Sequence, residues 1–455
     1  MGGMAVALTS EQAERFDARV GDLAENAFSL LEQLVACEST VGNENAAQEV
    51  VAEALAASGF DVSELAVPQS IGEHRLAGVP QRSYEGRFDV VGRRNGNDPV
   101  LLFNGHIDVV PADRGSWSTD PFDPVRRDGW LFGRGAGDMK GGFAMVILAL
   151  RALQSACPDA LELPIGFVSV IEEECTGNGT LASLLAGVAG RVVVLPEPSD
   201  LGALLAGVGV LWVDLELRGA GGHAHVANEL LTPVGAIAKL IDAVDGLGKS
   251  WSAEVADEDL AGVAQAFTTN VGLIESGNWR SSVASSARLG VRVGFPRGLQ
   301  PDDALRRVEE AVREAIAPTA TGGVAPEAND SLGLLVEPTG FRAEGYRLDP
   351  AHELVELLAS CHASVHDEPL RRFGLGSTTD ARYYLNQVGV PSLCYGPTAV
   401  NIHGADEAVE LQSIVDGART IGRLVARIGE LEAAGREPVN TLAEATLVER
   451  GLSTR

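Results

Sequence analysis

The sequence predicts an α/β protein: a mostly parallel sheet with helices on both faces, into which a smaller α+β sandwich of ferredoxin-like kind is inserted. Three observations point there. Short, unbroken apolar runs at 164–171 and 191–195 read as strands buried on both faces. Segments of helical periodicity alternate with them. Near residue 207 the pattern changes to a strict two-residue alternation over 208–219, with Leu211, Val213, Leu215 and Leu217 on one side and Asp214, Glu216 and Arg218 on the other. The expected division is 1–206 and 346–432 for the larger domain, 207–345 for the insertion and 433–455 for a tail or peripheral helix.

Taken in order, residues 11–35 read as a helix and 44–59 as a second. The second carries Ala47, Val50, Val51 and Leu55 as a stripe and closes on Gly59. A strand follows at 61–65, then a loop and outer hairpin over 66–98, then a strand at 100–103. Asp138 reads as the N-cap of a helix over 139–150. In the insertion, Thr232-Pro233 opens a helix with Val234, Ile237, Leu240, Ile241 and Val244 on its apolar face. Strands at 267–274 and 287–295 and a helix at 301–317 complete it. Helix and strand then alternate again: 354–365, 382–387, a strand at 391–395 and a last helix at 409–433.

With 455 residues and 45% hydrophobic content, the chain can bury two cores. Its net charge of -28, from 63 acidic against 35 basic residues, argues against nucleic acid or an anionic membrane as partner. Five scattered cysteines without a C-x-x-C pair argue against a disulfide scaffold and for a reducing cytoplasm. Neither a signal-peptide pattern nor an 18-residue apolar run is visible, so a cytoplasmic location is expected.

Chemistry concentrates in 101–142. His106 and Asp108, two apart, share a face if the backbone is extended. A carboxylate beside a histidine can fix its tautomer and aim the other ring nitrogen at a metal. Gly133, Gly135 and Gly137 have the spacing of neither a dinucleotide fingerprint nor a phosphate loop. Glu172, Glu173 and Glu174 end a buried strand, which is costly without a compensating cation. Glu197 ends the next strand between two prolines, and His403 follows a strand in the C-terminal part. Sites in open α/β sheets assemble at such strand ends, and two histidines with several carboxylates suit a pair of zinc-like ions.

The motifs GHIDVV, GRGAGDMKGG, EEECTGNGT, PEP, GSTTDAR and GPTAVNIHGADE together resemble a known family over about residues 25 to 430. It is that of the metal-dependent amidohydrolases and peptidases, among them acetylornithine deacetylase, succinyl-diaminopimelate desuccinylase, aminoacylase-1 and glutamate carboxypeptidase. The resemblance implies two divalent ions, zinc by default, with cobalt or manganese fitting the same ligands. His106, Asp138 and Glu197 would hold one ion; Asp138, Glu174 and His403 would hold the other. Glu173 takes the place of the general base, Asp108 joins the catalytic set, and Glu172 stands where the family has Asp.

The inserted domain, by the same resemblance, mediates homodimerisation and lends the neighbouring site an oxyanion-stabilising histidine. The family's G-x-x-x-H pattern selects His223 over His225. Arg292 matches the arginine that grips a substrate carboxylate, and Asn270 sits at a similar substrate-binding position. The expected activity is hydrolysis of the amide of a small N-acylated amine, foremost an N-acyl amino acid. Dipeptidase or carboxypeptidase action, and deacylation or deformylation of a heterocyclic amine, are the alternatives. A catalytically silent binding protein on the same fold is the rival from another class.

Overall fold

The computed structural model describes residues 8–229, 232–263, 265–317 and 332–435. A nine-stranded sheet runs in the order Asp61–Ala66, Phe88–Arg94, Ile165–Val170, Leu101–His106, Val192–Leu195, Ser392–Cys394, Ala203–Gly207 and Tyr346–Arg347, with Arg372–Leu375 pairing beside Ala203–Gly207. Its centre is parallel: Leu101–His106 pairs in parallel with both Ile165–Val170 and Val192–Leu195, and Ser392–Cys394 continues the run. These strands are buried along their length, as unbroken β-branched runs require. The helices Ser10–Ala36, Gly141–Ala156 and Leu411–Ala433 pack on one another beside the sheet, and Gly141–Ala156 is apolar all round over residues 141–150, where every residue is buried.

The insertion forms its own antiparallel sheet, ordered Thr269–Ser276, Ser286–Phe295, Gly209–Arg218, Gly333–Ala343. Helices Pro233–Glu254 and Pro301–Ile316 cover one face, where Leu211, Val213, Leu215 and Leu217 meet Leu240, Val244 and Val308 in a separate core. The β-α-β-β-α-β order and strand sequence are ferredoxin-like, as expected.

Four local expectations are corrected. Residues 66–98 are more than a loop and outer hairpin, because Phe88–Arg94 lies inside the main sheet between Asp61–Ala66 and Ile165–Val170. The insertion has a fourth strand, Gly333–Ala343, which the sequence hides behind Pro338 and a register shift between Thr339 and Arg342. Val234 is 50% exposed, since the buried stripe of its helix runs through Pro233, Ala236, Leu240 and Val244 and passes it by. Asp138 is no N-cap: the helix starts at Gly141, and Asp138 (φ -111°, ψ 97°) sits in the wide turn Ala136–Lys140 before it, joined to Met139 by a cis peptide.

The expected tail beyond residue 435 lies outside the described residues. Among those described, no helix is long and apolar enough to cross a membrane.

Candidate active site

Three neighbouring parallel strands deliver carboxylates and an imidazole to one end of the sheet. His106 closes Leu101–His106, Glu173 and Glu174 follow Ile165–Val170, and Glu197 follows Val192–Leu195. Two turns bring the rest: Ala136–Lys140 carries Asp138, and the turn after Ala399–Val400 carries His403, whose φ is 61°.

Asp138 lies between the two imidazoles and offers one oxygen to each. Its Oδ1 is 3.1 Å from His106 Nε2, and its Oδ2 is 3.4 Å from His403 Nε2. Glu197 Oε2 flanks His106 Nε2 at 3.8 Å, and Glu174 Oε2 flanks His403 Nε2 at 3.0 Å. One donor atom each from His106, Asp138 and Glu174 falls within 4.8 Å of the others. The structure therefore draws together all five residues that the sequence analysis expects as ligands.

The electrostatics favour cations in this space. Burial pushes the Glu197 carboxyl up to about 8, with Asp138 and Glu174 adding repulsion against the pull of His106. Burial also raises Asp138, but hydrogen bonds and charge from His106 and His403 overcome it and hold the group below the usual carboxylate range. The carboxylates in turn draw protons onto both rings against the cost of burial, His403 to about 11. Three carboxylates around two imidazoles form a donor set that two divalent cations would balance, releasing those protons.

Asp108 does more than the two-residue spacing suggests. Its carboxylate Oδ1 lies 3.7 Å from His106 Nδ1, beside the ring as expected. It is the Asp108 carbonyl that lies 2.9 Å from His106 Nδ1, fixing the ring. The Asp108 carboxylate also accepts the Glu173 and Glu174 amide N–H groups at 3.1 and 3.2 Å. One residue thus orients a histidine and pins the turn that separates two adjacent glutamates. Glu174 turns to His403, while Glu173 faces the cavity, forms no ion pair among the described residues, and is pushed well above the usual carboxylate range by burial and by Asp380.

The cation that compensates Glu172 is Arg87, a residue the sequence analysis missed. Arg87 Nη1 donates to Glu172 at 2.6 Å and the same guanidinium pairs with buried Glu44. Tyr84 Oη and Thr176 Oγ1 also donate to Glu172, at 2.5 and 2.9 Å. Glu407 was missed as well: its Oε1 accepts the amide N–H groups of Gly137 and Asp138 at 2.9 and 3.0 Å, and its other oxygen pairs with Arg134. No local pattern marks either group, because each partner lies far along the chain.

A cavity of about 740 Å³ opens over these residues, roofed by the uncovered face of the inserted sheet. Arg292 and Asn270 line it. Arg292 is braced by Thr268 O, Thr268 Oγ1 and Gly376 O at 3.1, 2.9 and 3.0 Å and has no carboxylate partner among the described residues. His223 and His225 are exposed, with their Nδ1 atoms 2.9 Å apart, and do not line the cavity of their own chain.

Carboxylates and two imidazoles, gathered at parallel strand ends and on the turns beside them under a second sheet, suit the centre of a metal-dependent hydrolase. Residues 102–427 match the model of Peptidase family M20/M25/M40, and the chain belongs to that family. It is 30% identical over 402 residues to succinyl-diaminopimelate desuccinylase of Cereibacter sphaeroides (strain KD131 / KCTC 12085), covering 85% of this chain and 94% of that protein. It is 27% identical over 369 residues to N-formyl-4-amino-5-aminomethyl-2-methylpyrimidine deformylase of Bacillus subtilis (strain 168), covering 74% and 82%. The fold is shared with the dipeptidase Dug1p of Saccharomyces cerevisiae at TM-score 0.74 and 13% identity, covering 93% and 99% of the two chains. It is shared too with a dinuclear metal-binding peptidase of the M20 family from Bacillus subtilis, at TM-score 0.57 and 12% identity, covering 90% and 99%. The expected family, fold class and amide-hydrolase activity are borne out.

Proposed function

We propose that the chain is a dinuclear deacylase of small N-acyl amino acids, with His106, Asp138 and Glu197 holding one ion and Asp138, Glu174 and His403 the other. The placement of Asp138 between two imidazoles, each flanked by a further carboxylate, carries the reading. Bound there, the ions would supply Lewis acidity for the attacking water and for the scissile carbonyl. Zinc is the expected metal, and cobalt or manganese suits the same donors.

Glu173 is the proton carrier in this scheme. Buried and facing the cavity, its carboxylate takes the proton of the attacking water and returns it to the leaving nitrogen. Asp108 positions Glu173 through its amide N–H. Arg292, and with it Asn270, receives the substrate carboxylate, since a braced guanidinium without a counter-ion suits an incoming anion.

The inserted unit, 207–345, would pair two copies, with exposed His223 serving the second site. Five free cysteines suit a cytoplasmic location.

The test is amine release from pooled N-acetyl, N-succinyl, N-formyl and dipeptide substrates, with zinc or cobalt supplied and a chelator control. Chelator-sensitive release from an N-acyl amino acid pool supports the reading. Release from the dipeptide pool alone transfers it to the dipeptidase or carboxypeptidase alternative. Silence of every pool from protein that holds two metals points to amides without an α-carboxylate, such as acylated heterocyclic amines.

A further inference from the structure

The roof of the cavity carries a group that the proposed chemistry does not use. Trp212 projects from the uncovered face of the inserted sheet, on the side opposite the buried Leu211 and Val213. In the register of that sheet Trp212 stands directly across from Arg292. Side chains so paired lie roughly 5 Å apart at their Cβ atoms. A substrate whose carboxylate is held by Arg292 therefore presents whatever else its α-carbon bears to the indole.

The indole is held from two sides. Phe341 meets it edge to face, with ring centroids 5.4 Å apart and planes at 84°. Gly340, at φ 55°, lies beneath it, where a Cβ would come within 2.4 Å of Trp212 Cε3 and 3.0 Å of the Cys175 carbonyl oxygen. Glycine at that position lets the indole rest on the strand and the strand rest on the Glu174 turn. Val79 N–H closes the join by donating to Gly340 O at 2.8 Å.

The rest of the wall matches. Leu273 and Ile402 line the same cavity while 41% and 40% exposed, so apolar surface stands uncovered there. The one roof carboxylate among the described lining residues, Asp214, is already paired with Arg288 at 2.5 Å. Among the described lining residues, a cationic side chain entering this space meets no free counter-ion outside the proposed metal ligands and Glu173.

We infer that Trp212 and Phe341, beside Arg292, form a seat for a large apolar or aromatic side chain on the amino-acid half of the substrate. The inference rests on the deacylase reading. It selects N-acyl amino acids of the phenylalanine or leucine kind over glycine, and over lysine-like and diamino substrates.

The experiment compares kcat/KM for N-acetylglycine, N-acetylphenylalanine and N-acetyllysine on the metal-loaded full chain, and repeats it with N-formyl and N-succinyl forms. Phenylalanine is expected to exceed both others by about tenfold or more, the order of discrimination an apolar pocket gives. Trp212→Ala should collapse the phenylalanine-to-glycine ratio, mainly through KM, and Trp212→Phe should restore most of it. A higher rate with lysine, or a Trp212→Ala loss equal for both substrates, overturns the seat. Turnover of glycine without a gain for phenylalanine overturns the seat and leaves the deacylase standing, whereas no turnover of any amino-acid conjugate overturns both.

Discussion

Arg134 and Glu407 form an ion pair whose side chains are 3% and 0% exposed, and it ties together the two turns that bear Asp138 and His403. Glu407 holds the amides of Gly137 and Asp138, while Arg134 Nη2 donates to Gly404 O at 3.1 Å, one residue past His403. Glu407→Gln keeps an acceptor for the amides but leaves the guanidinium without its counter-charge. Loss of one partner of a buried pair costs about 3–5 kcal/mol, and loss of a ligand's outer support weakens metal binding about 10–100-fold. Thermal melts and metal titration of the variant should show both losses; unchanged metal affinity would limit the pair to stability.

Glu173→Ala should retain its metals and lose turnover by about 10²–10⁴-fold, the usual contribution of a positioned acid–base group. Metal content measured beside kcat separates this from a ligand variant. A rate near the parent's would remove Glu173 from the proton-carrying role.

Asp138→Asn weakens the residue proposed to serve both metal positions, and should lower bound metal and activity together. Chelator treatment of the parent protein should abolish activity, and added zinc or cobalt should restore it. An Asp138→Asn protein that keeps two equivalents of metal would contradict the bridging role.

Arg87→Met removes the shared cation of Glu44 and Glu172 and leaves two buried carboxylates facing each other. The expected loss is about 3–5 kcal/mol of stability, read as a fall in urea midpoint. The triple variant that adds Glu44→Gln and Glu172→Gln to Arg87→Met should recover part of it, because no charge is then left uncompensated.

Asp89 is fully buried on Phe88–Arg94 and accepts Ile171 N–H and Ser183 Oγ–H at 3.1 and 2.9 Å. Burial pushes its carboxyl up to about 8, and those two hydrogen bonds only partly oppose the shift. The folded value thus exceeds the unfolded one of about 3.9, so the stability contributed by the neutral form is complete below about pH 4 and is lost as pH rises towards 8. Asp89→Asn removes that dependence. Urea midpoints at pH 5, 7 and 9 should show the variant gaining on the parent as pH rises, and a constant gap would mean that Asp89 is ionised in the fold.

Sequence periodicity reported what the backbone does over a whole element and failed where an element stops. The strand ending at His106 and the buried runs before Glu172 and Glu197 were legible because burial on both faces demands unbroken apolar residues. Asp108 was read only in part: the spacing marked its carboxylate beside the His106 ring, but not the carbonyl that lies closer to that ring or the two amides the carboxylate accepts. Asp138 looked like a helix cap because an acid before a run of helix formers usually is one; its carboxylate is instead drawn sideways by two imidazoles. Phe88–Arg94 ends in Gly92, Arg93 and Arg94, which disguise an interior strand as an edge. Arg87 and Glu407 find their partners 85 and 273 residues away, and nothing in a local window encodes such a meeting.

The inserted sheet departs just after Gly207 and returns at Tyr346, which pairs with Gly207 itself, and Leu348 N–H then bonds Leu205 O at 2.8 Å. Departure and return are neighbours, so the main sheet would need only a short turn to close if the insertion were cut out. The proposed metal ligands and proton carrier belong to the floor, while Arg292, Trp212 and Phe341 belong to the roof. On that assignment choice of substrate is carried on a cassette, and transplanting it onto another member's floor would move selectivity, and His223 with it, while leaving the proposed metal ligands and Glu173 in place.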